Sequence, residues 1–164
     1  MQTLRKIPTI SLFLVFLTLP IFLASKAIAA KNTNPINQTS KGIAVKGYDM
    51  VTYFINGEPS KGNKEITHEW RGSTWRFANA ENHALFVADP EKYAPQYGGY
   101  CAYGVSQGAT VSFDPNAWTI VDDKLYLNLS KKIQKKWEKD IPGYIESADN
   151  KWPGILAGKS SPRI

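Results

Sequence analysis

Apolar and polar residues along this 164-residue chain change period several times, from strand-like alternation to helical spacing and back. Residues 65–70 and 73–77 read as two strands joined by Arg71-Gly72. With those two residues as the loop, Trp70 faces Ser73, His68 faces Trp75 and Ile66 faces Phe77. That register collects Ile66, His68, Trp70, Trp75 and Phe77 on one face and leaves Thr67, Glu69, Thr74 and Arg76 on the other. The inward face is predicted to be aromatic, with one imidazole in it.

Helical signals flank this unit. Asp49 is placed to cap a short helix through Met50, Val51, Tyr53 and Phe54, which Gly57 and Pro59 end. Asn79 caps a helix over 80–88, with Leu85 and Phe86 expected inward. Asp89-Pro90-Glu91 supplies a cap, a first-turn proline and a first-turn acid to a turn ending near Tyr93. A loop over 107–115 leads to a second hairpin, 118–121 with 125–129, around Asp122-Asp123-Lys124. Ser130 caps a basic amphipathic helix over 131–139 whose apolar residues are Ile133 and Trp137, and 141–152 is a last helical segment. The lysines at 131, 132, 135 and 136 read as a solvated helix face. The pattern shows no internal repeat. Two β-hairpins and several short helices make this a small single α+β domain.

The two ends read differently. Arg5 and Lys6, an almost purely apolar run over 7–24, and Ala27-Ile28-Ala29 predict a signal peptide over 1–29 with Ala30 as the new N-terminus. Pro8 and Pro20 bracket the run, which favours cleavage over a retained anchor, and no cysteine near Ala30 offers a site for a lipid. Polar residues 30–41 predict a disordered leader, 42–152 the folded domain, and 153–164 a flexible tail. Loss of Arg5, Lys6 and Lys26 with the leader lowers the net charge from +6 to +3. So small an excess gives no reason to expect a nucleic-acid partner. The expected location is periplasmic or secreted, with no stable membrane span after cleavage, and the expected partners are a metal ion or an envelope protein.

Composition changes this picture at one residue. Cys101 is the sole cysteine, so no internal disulfide forms, and a lone thiol in an oxidising compartment is buried, metal-bound or reactive. Gly98-Gly99 before it predicts a tight turn or a close backbone approach. A helix starting after the pair would put Cys101 in its first turn, where backbone amides favour the thiolate and lower its pKa. Spacing leaves open the plainer reading of a small hydrophobe packed beside aromatics.

The soft or borderline metal donors are Cys101, His68 and His83, with Met50 as a further thioether; they suit copper or zinc and not magnesium or calcium. No C-x-x-C spacing supports a closed zinc site. His68 belongs to the aromatic face, whereas His83, at the margin of its helix's inward side, reads as solvated. A Cys–His pair would equally serve as nucleophile and base. Gly104-Val105-Ser106-Gln107-Gly108 spells G-x-S-x-G, but no hydrophobic strand precedes it and both histidines lie earlier in the chain. Ser106 is therefore not read as a nucleophile.

Gly47-Tyr48-Asp49 with Tyr53-Phe54, the run from Trp70 to Phe77, Ala80-Glu81-Asn82, and Phe86 with Asp89-Pro90-Glu91-Lys92-Tyr93 resemble the YHS domain. The continuation from Ala94 through Gly98-Gly99-Tyr100-Cys101-Ala102 resembles the exported, stand-alone branch of that family, and the likeness covers about residues 42–152. The resemblance implies heavy-metal binding or sensing. Two cysteine motifs of the shorter form stand here without cysteine, as Asp49-Met50-Val51-Thr52 and Phe77-Ala78-Asn79. In some members of the exported branch the position matching Cys101 is selenocysteine, which implies redox chemistry there. The leading expectation is a copper or zinc ion held through Cys101 with His68 as partner, and no organic cofactor. The alternatives are a thiol redox protein with Cys101 as nucleophile, or a non-catalytic envelope interaction module.

The N-terminal pattern generates a first prediction. Intact-mass measurement of the exported protein is expected to give a chain beginning at Ala30; a retained Met1 would mean an anchor.

Overall fold

Two tight turns set the frame of the computed structural model, which describes residues 33–158. Arg71 and Gly72 both adopt positive φ, 49° and 71°, and so do Asp122 and Asp123, at 49° and 57°. This is the backbone geometry whose twist matches that of two antiparallel strands. In chain order the elements are β1 (Tyr48–Asp49), α1 (Val51–Ile55), β2 (Ser60–Lys61), β3 (Asn63–Trp70), β4 (Ser73–Phe77), α2 (Ala80–Ala88) and α3 (Pro90–Tyr93). There follow α4 (Ala102–Ser106), β5 (Asp114–Val121), β6 (Lys124–Asn128), α5 (Lys131–Trp137) and α6 (Ile141–Leu156). Two 3-10 turns, Val45–Gly47 and Gln96–Gly99, complete the set. The domain is a single α+β unit, with three two-stranded antiparallel sheets (β1-β2, β3-β4 and β5-β6) where two hairpins were expected.

In the first hairpin Trp70 lies opposite Ser73 and His68 opposite Trp75, as the turn requires. Ile66 does not face Phe77. A shift between Asn63 and Thr67 pairs Phe77 with Asn63, because extra residues on β3 bulge out of the ladder. In the second hairpin Val121 pairs with Lys124, so the turn is Asp122-Asp123 alone.

The hairpins belong to two copies of one supersecondary unit. Apart from β1 and β2, each element of the first recurs 51 positions later: Val45 to Gln96, Val51 to Ala102, Asn63 to Asp114, Ala80 to Lys131, Pro90 to Ile141. The ladders match pair for pair, including the shift that sets Asn128 opposite Asp114. Left-handed Lys46-Gly47 recurs at Tyr97-Gly98, and Gly57 at Gly108. Asn79 caps α2 as Ser130 caps α5, and Asp89 and Asp140 cap the helices that follow. Trp75 stacks on Phe86 with centroids 5.0 Å apart at 32°; Tyr126 stacks on Trp137 at 5.3 Å and 35°. The expectation of no repeat is thus corrected. The two units share geometry, while their side chains differ too much for the pattern to betray them.

Burial corrects the ends of the domain as well. The leader does not stay outside the fold: Ile36 is 1% exposed and joins the first core cluster with Val51, Trp75, Phe77 and Phe86. Asn37 donates its backbone N–H to Gly98 O at 2.8 Å and its side-chain amide to Gly99 O at 3.0 Å. A Cβ on Gly98 would collide with the Pro35 carbonyl, so the glycine pair serves both the turn and the close approach. At the other end α6 continues to Leu156 with Ile155 buried, so the expected tail is helical as far as Leu156. The signal peptide over 1–29 and residues 159–164 lie outside the described residues. Among the described residues no helix is long and apolar enough to cross a membrane.

The rotation of α2 also differs from expectation. Leu85 is 39% exposed, and the buried stripe is Asn82 with Phe86. The cause is Asp49, which has no exposed surface. Its Oδ2 accepts from Asn82 Nδ2 at 2.6 Å and from Ala78 N at 2.8 Å, while Oδ1 accepts from Val51 N at 2.9 Å. Three donors offset the cost of burying the carboxylate, and together they pin α1, the end of β4 and α2 to one point.

Asp49→Ala is therefore expected to lower unfolding free energy by about 3 kcal/mol, since it strands three donors. Chemical denaturation measures the loss. A change within experimental error would show that the carboxylate does not organise the unit.

Candidate functional site

β3 and α2 bring the two histidines together. His68 stands opposite Trp75 on β3, half-buried, and His83 lies half-buried on α2. Their ring centroids are 5.9 Å apart in an edge-to-face arrangement. His68 also meets Phe86 at 6.3 Å, and His83 meets Phe77 at 5.3 Å. The expectation that His83 is solvated is corrected. Anchoring Asn82 to Asp49 turns the next residue of α2 toward the sheet.

The second unit places Thr119 and Gln134 where the first has His68 and His83. Gln134 Nε2 donates to Thr119 Oγ1 at 3.1 Å, Trp118 O at 2.7 Å and Glu138 Oε1 at 2.9 Å. Those polar groups are consumed within the fold. The contacts described for the two imidazoles are with other rings, so the same position offers nitrogen donors in the first unit and a closed hydrogen-bond set in the second.

Cys101 occupies the predicted place but not the predicted state. It caps α4, and its Sγ accepts from Gly104 N at 3.4 Å. Its thiol is directed at Asn128 Oδ1, 3.6 Å away, and the Tyr103 N–H donates to the same oxygen at 3.3 Å. The residue is 1% exposed. Burial pushes the thiol pKa up, and the amides of Gly104, Leu129 and Tyr103 oppose that shift without cancelling it. The expected depression of the pKa is corrected: α4 has five residues, too short a row of peptide dipoles to outweigh desolvation. A redox nucleophile is favoured by an accessible thiolate, whereas burial here covers the sulfur and favours the thiol. Met50, the first-unit counterpart of Cys101, is likewise core and 1% exposed.

Among the described residues no group of three or more His, Cys, Asp or Glu side chains is placed to hold a metal ion. Cys101 therefore does not join His68 and His83 in one cluster. Ser106 is buried at the end of α4, its hydroxyl donating to Tyr103 O at 2.7 Å, which is not the exposed turn a nucleophile elbow requires.

One arrangement was missed from sequence altogether. A cavity of about 210 Å³ opens where the two units and the leader meet, lined by Trp70, Arg71, Glu91, Tyr97, Asp149 and Trp152 among others. Tyr97 belongs to the glycine-rich stretch around Cys101, but its partners on α6 are about fifty residues distant and no local spacing links them.

No protein-family model, curated protein or solved structure matches the chain.

The state of Cys101 is open to direct measurement. At neutral pH alkylation by iodoacetamide is expected to be about a hundredfold or more slower in folded than in denatured protein, because reaction waits on opening of the fold. Because the folded pKa is raised, the protonated thiol contributes stability below the unfolded pKa. That contribution is lost as pH rises past the ordinary thiol range, where the unfolded chain ionises first. Rapid alkylation of the folded protein would contradict the buried assignment.

Proposed function

We propose that this chain is an exported, non-catalytic protein that binds a copper or zinc ion through the imidazoles of His68 and His83. The observation that carries the reading is the pairing of the two rings across β3 and α2, 5.9 Å apart. Neutral imidazole nitrogen is a borderline donor suited to these ions, and Phe77 and Phe86 back the pair with an apolar wall. The proposal keeps the ligand class that the likeness to the YHS domain implies and moves the donors away from Cys101. It also rests on the N-terminal pattern for export.

Two protein donors leave the remaining coordination positions to water or to a ligand from solution, as in an exchangeable site. Ligation needs unprotonated imidazole, so acidification releases the ion. Cys101 serves the fold by tying α4 to the end of β6.

Calorimetric titration with Zn(II) and Cu(II) distinguishes these roles. His68→Ala and His83→Ala are each expected to weaken binding by at least about ten-fold, and Cys101→Ser to leave it unchanged. Undiminished binding in both histidine variants, or loss of binding in Cys101→Ser with the fold intact, would reject the assignment.

A further inference from the structure

The seam cavity combines aromatic rings and carboxylates in a way that suits a cation. On its first-unit side the chain supplies one itself. The Arg71 guanidinium lies 4.5 Å from the centroid of Trp70, and its Nη2 pairs with Glu91 Oε1 at 2.6 Å. A ring face and a carboxylate together replace the water that a cation gives up.

The second-unit side repeats the combination. Trp152 packs against Tyr97 and Tyr100, with centroids 5.9 and 6.0 Å apart. Tyr97 donates its hydroxyl to Asp149 Oδ1 at 2.9 Å, which orients the carboxylate and leaves Oδ2 free of that bond. Asp149 and Trp152 are one helical turn apart on α6, so both reach the same face. Among the described residues no lysine or arginine pairs with Asp149. Glu91 and Asp149 against Arg71 leave the charged lining one negative charge in excess. Burial and the neighbouring carboxylate raise the Tyr97 pKa, which keeps its hydroxyl a donor.

We propose that this cleft binds a small organic cation of the quaternary-ammonium type, with Trp152 and Tyr97 as its walls and Asp149 as its counter-ion. A volume near 210 Å³ admits a molecule of choline's size and excludes a nucleotide or a folded peptide. The site is separate from the imidazole pair and takes a different ligand.

The test is titration of the protein with choline, against its neutral isostere 3,3-dimethyl-1-butanol, followed by calorimetry and tryptophan fluorescence. Choline is expected to bind saturably and the isostere at least about ten-fold more weakly, since only charge separates them. Asp149→Asn, at an exposed position, and Trp152→Leu are each expected to weaken choline by a similar factor, and His68→Ala to leave it unchanged. Circular dichroism of Asp149→Asn checks that the fold is kept. Equal binding of choline and isostere, unchanged binding in Asp149→Asn, or no saturable choline binding would each overturn the proposal.

Discussion

A carboxylate taken wholly out of water is stable only if nearly every lone pair finds a donor, and Asp49 meets that demand by drawing three elements to itself. Most of the first unit follows from this constraint. With Ala78 and Asn82 both bound to one oxygen, α2 cannot rotate freely about its axis. Phe86 is then carried under Trp75, Leu85 to the surface and His83 against Phe77. The imidazole pair is a by-product of where a buried anion needs its donors. In the second unit the start of α4 is held by a softer set, the Cys101 sulfur and the Asn128 amide, whose Nδ2 is buried without a partner. The Cys101 sulfur stands where the first unit has Met50, and its burial there raises the thiol pKa.

The repetition gives the two halves different duties within one geometry. Where the first unit has two imidazoles the second has a glutamine bonded three ways, and where the first has Met50 the second has Cys101. Neither half closes alone: Phe113, Leu125 and Leu127 of the second unit complete the core cluster of the first.

Legibility from sequence followed the range of the interactions. Caps and tight turns are local, so Asn79, Asp89, Ser130 and the Arg71-Gly72 turn were readable, and with them the pairing of His68 and Trp75. The bulge that moves Phe77 off Ile66 was not, because it depends on how β3 lies over the core. The place of Cys101 at a helix start was visible in the glycine pair, but its ionisation depends on burial by distant residues. The repeat was hidden by chemistry: Trp75 and Tyr126, Phe86 and Trp137, or His83 and Gln134 fill like positions with unlike groups. Ile36 looked like part of a polar leader, since one apolar residue among Asn, Gln and Thr carries no period.

The contact between that leader and the glycine pair bears on the order in which the molecule forms. Hairpins and their following helices close short loops and can assemble within microseconds to milliseconds. Asn37 reaches Gly99 at a separation of 62 positions, and its bonds to Gly98 and Gly99 have value only after the Gln96–Gly99 turn exists. Other leader bonds, between Asn37 and Val45 and between Gln38 and Ser73, lie within reach of the first unit, so only those to Gly98 and Gly99 must wait. Contacts that wait for that turn are expected to be absent from the folding transition state. They act as a clasp that slows escape from the native state and contributes little to the speed of reaching it.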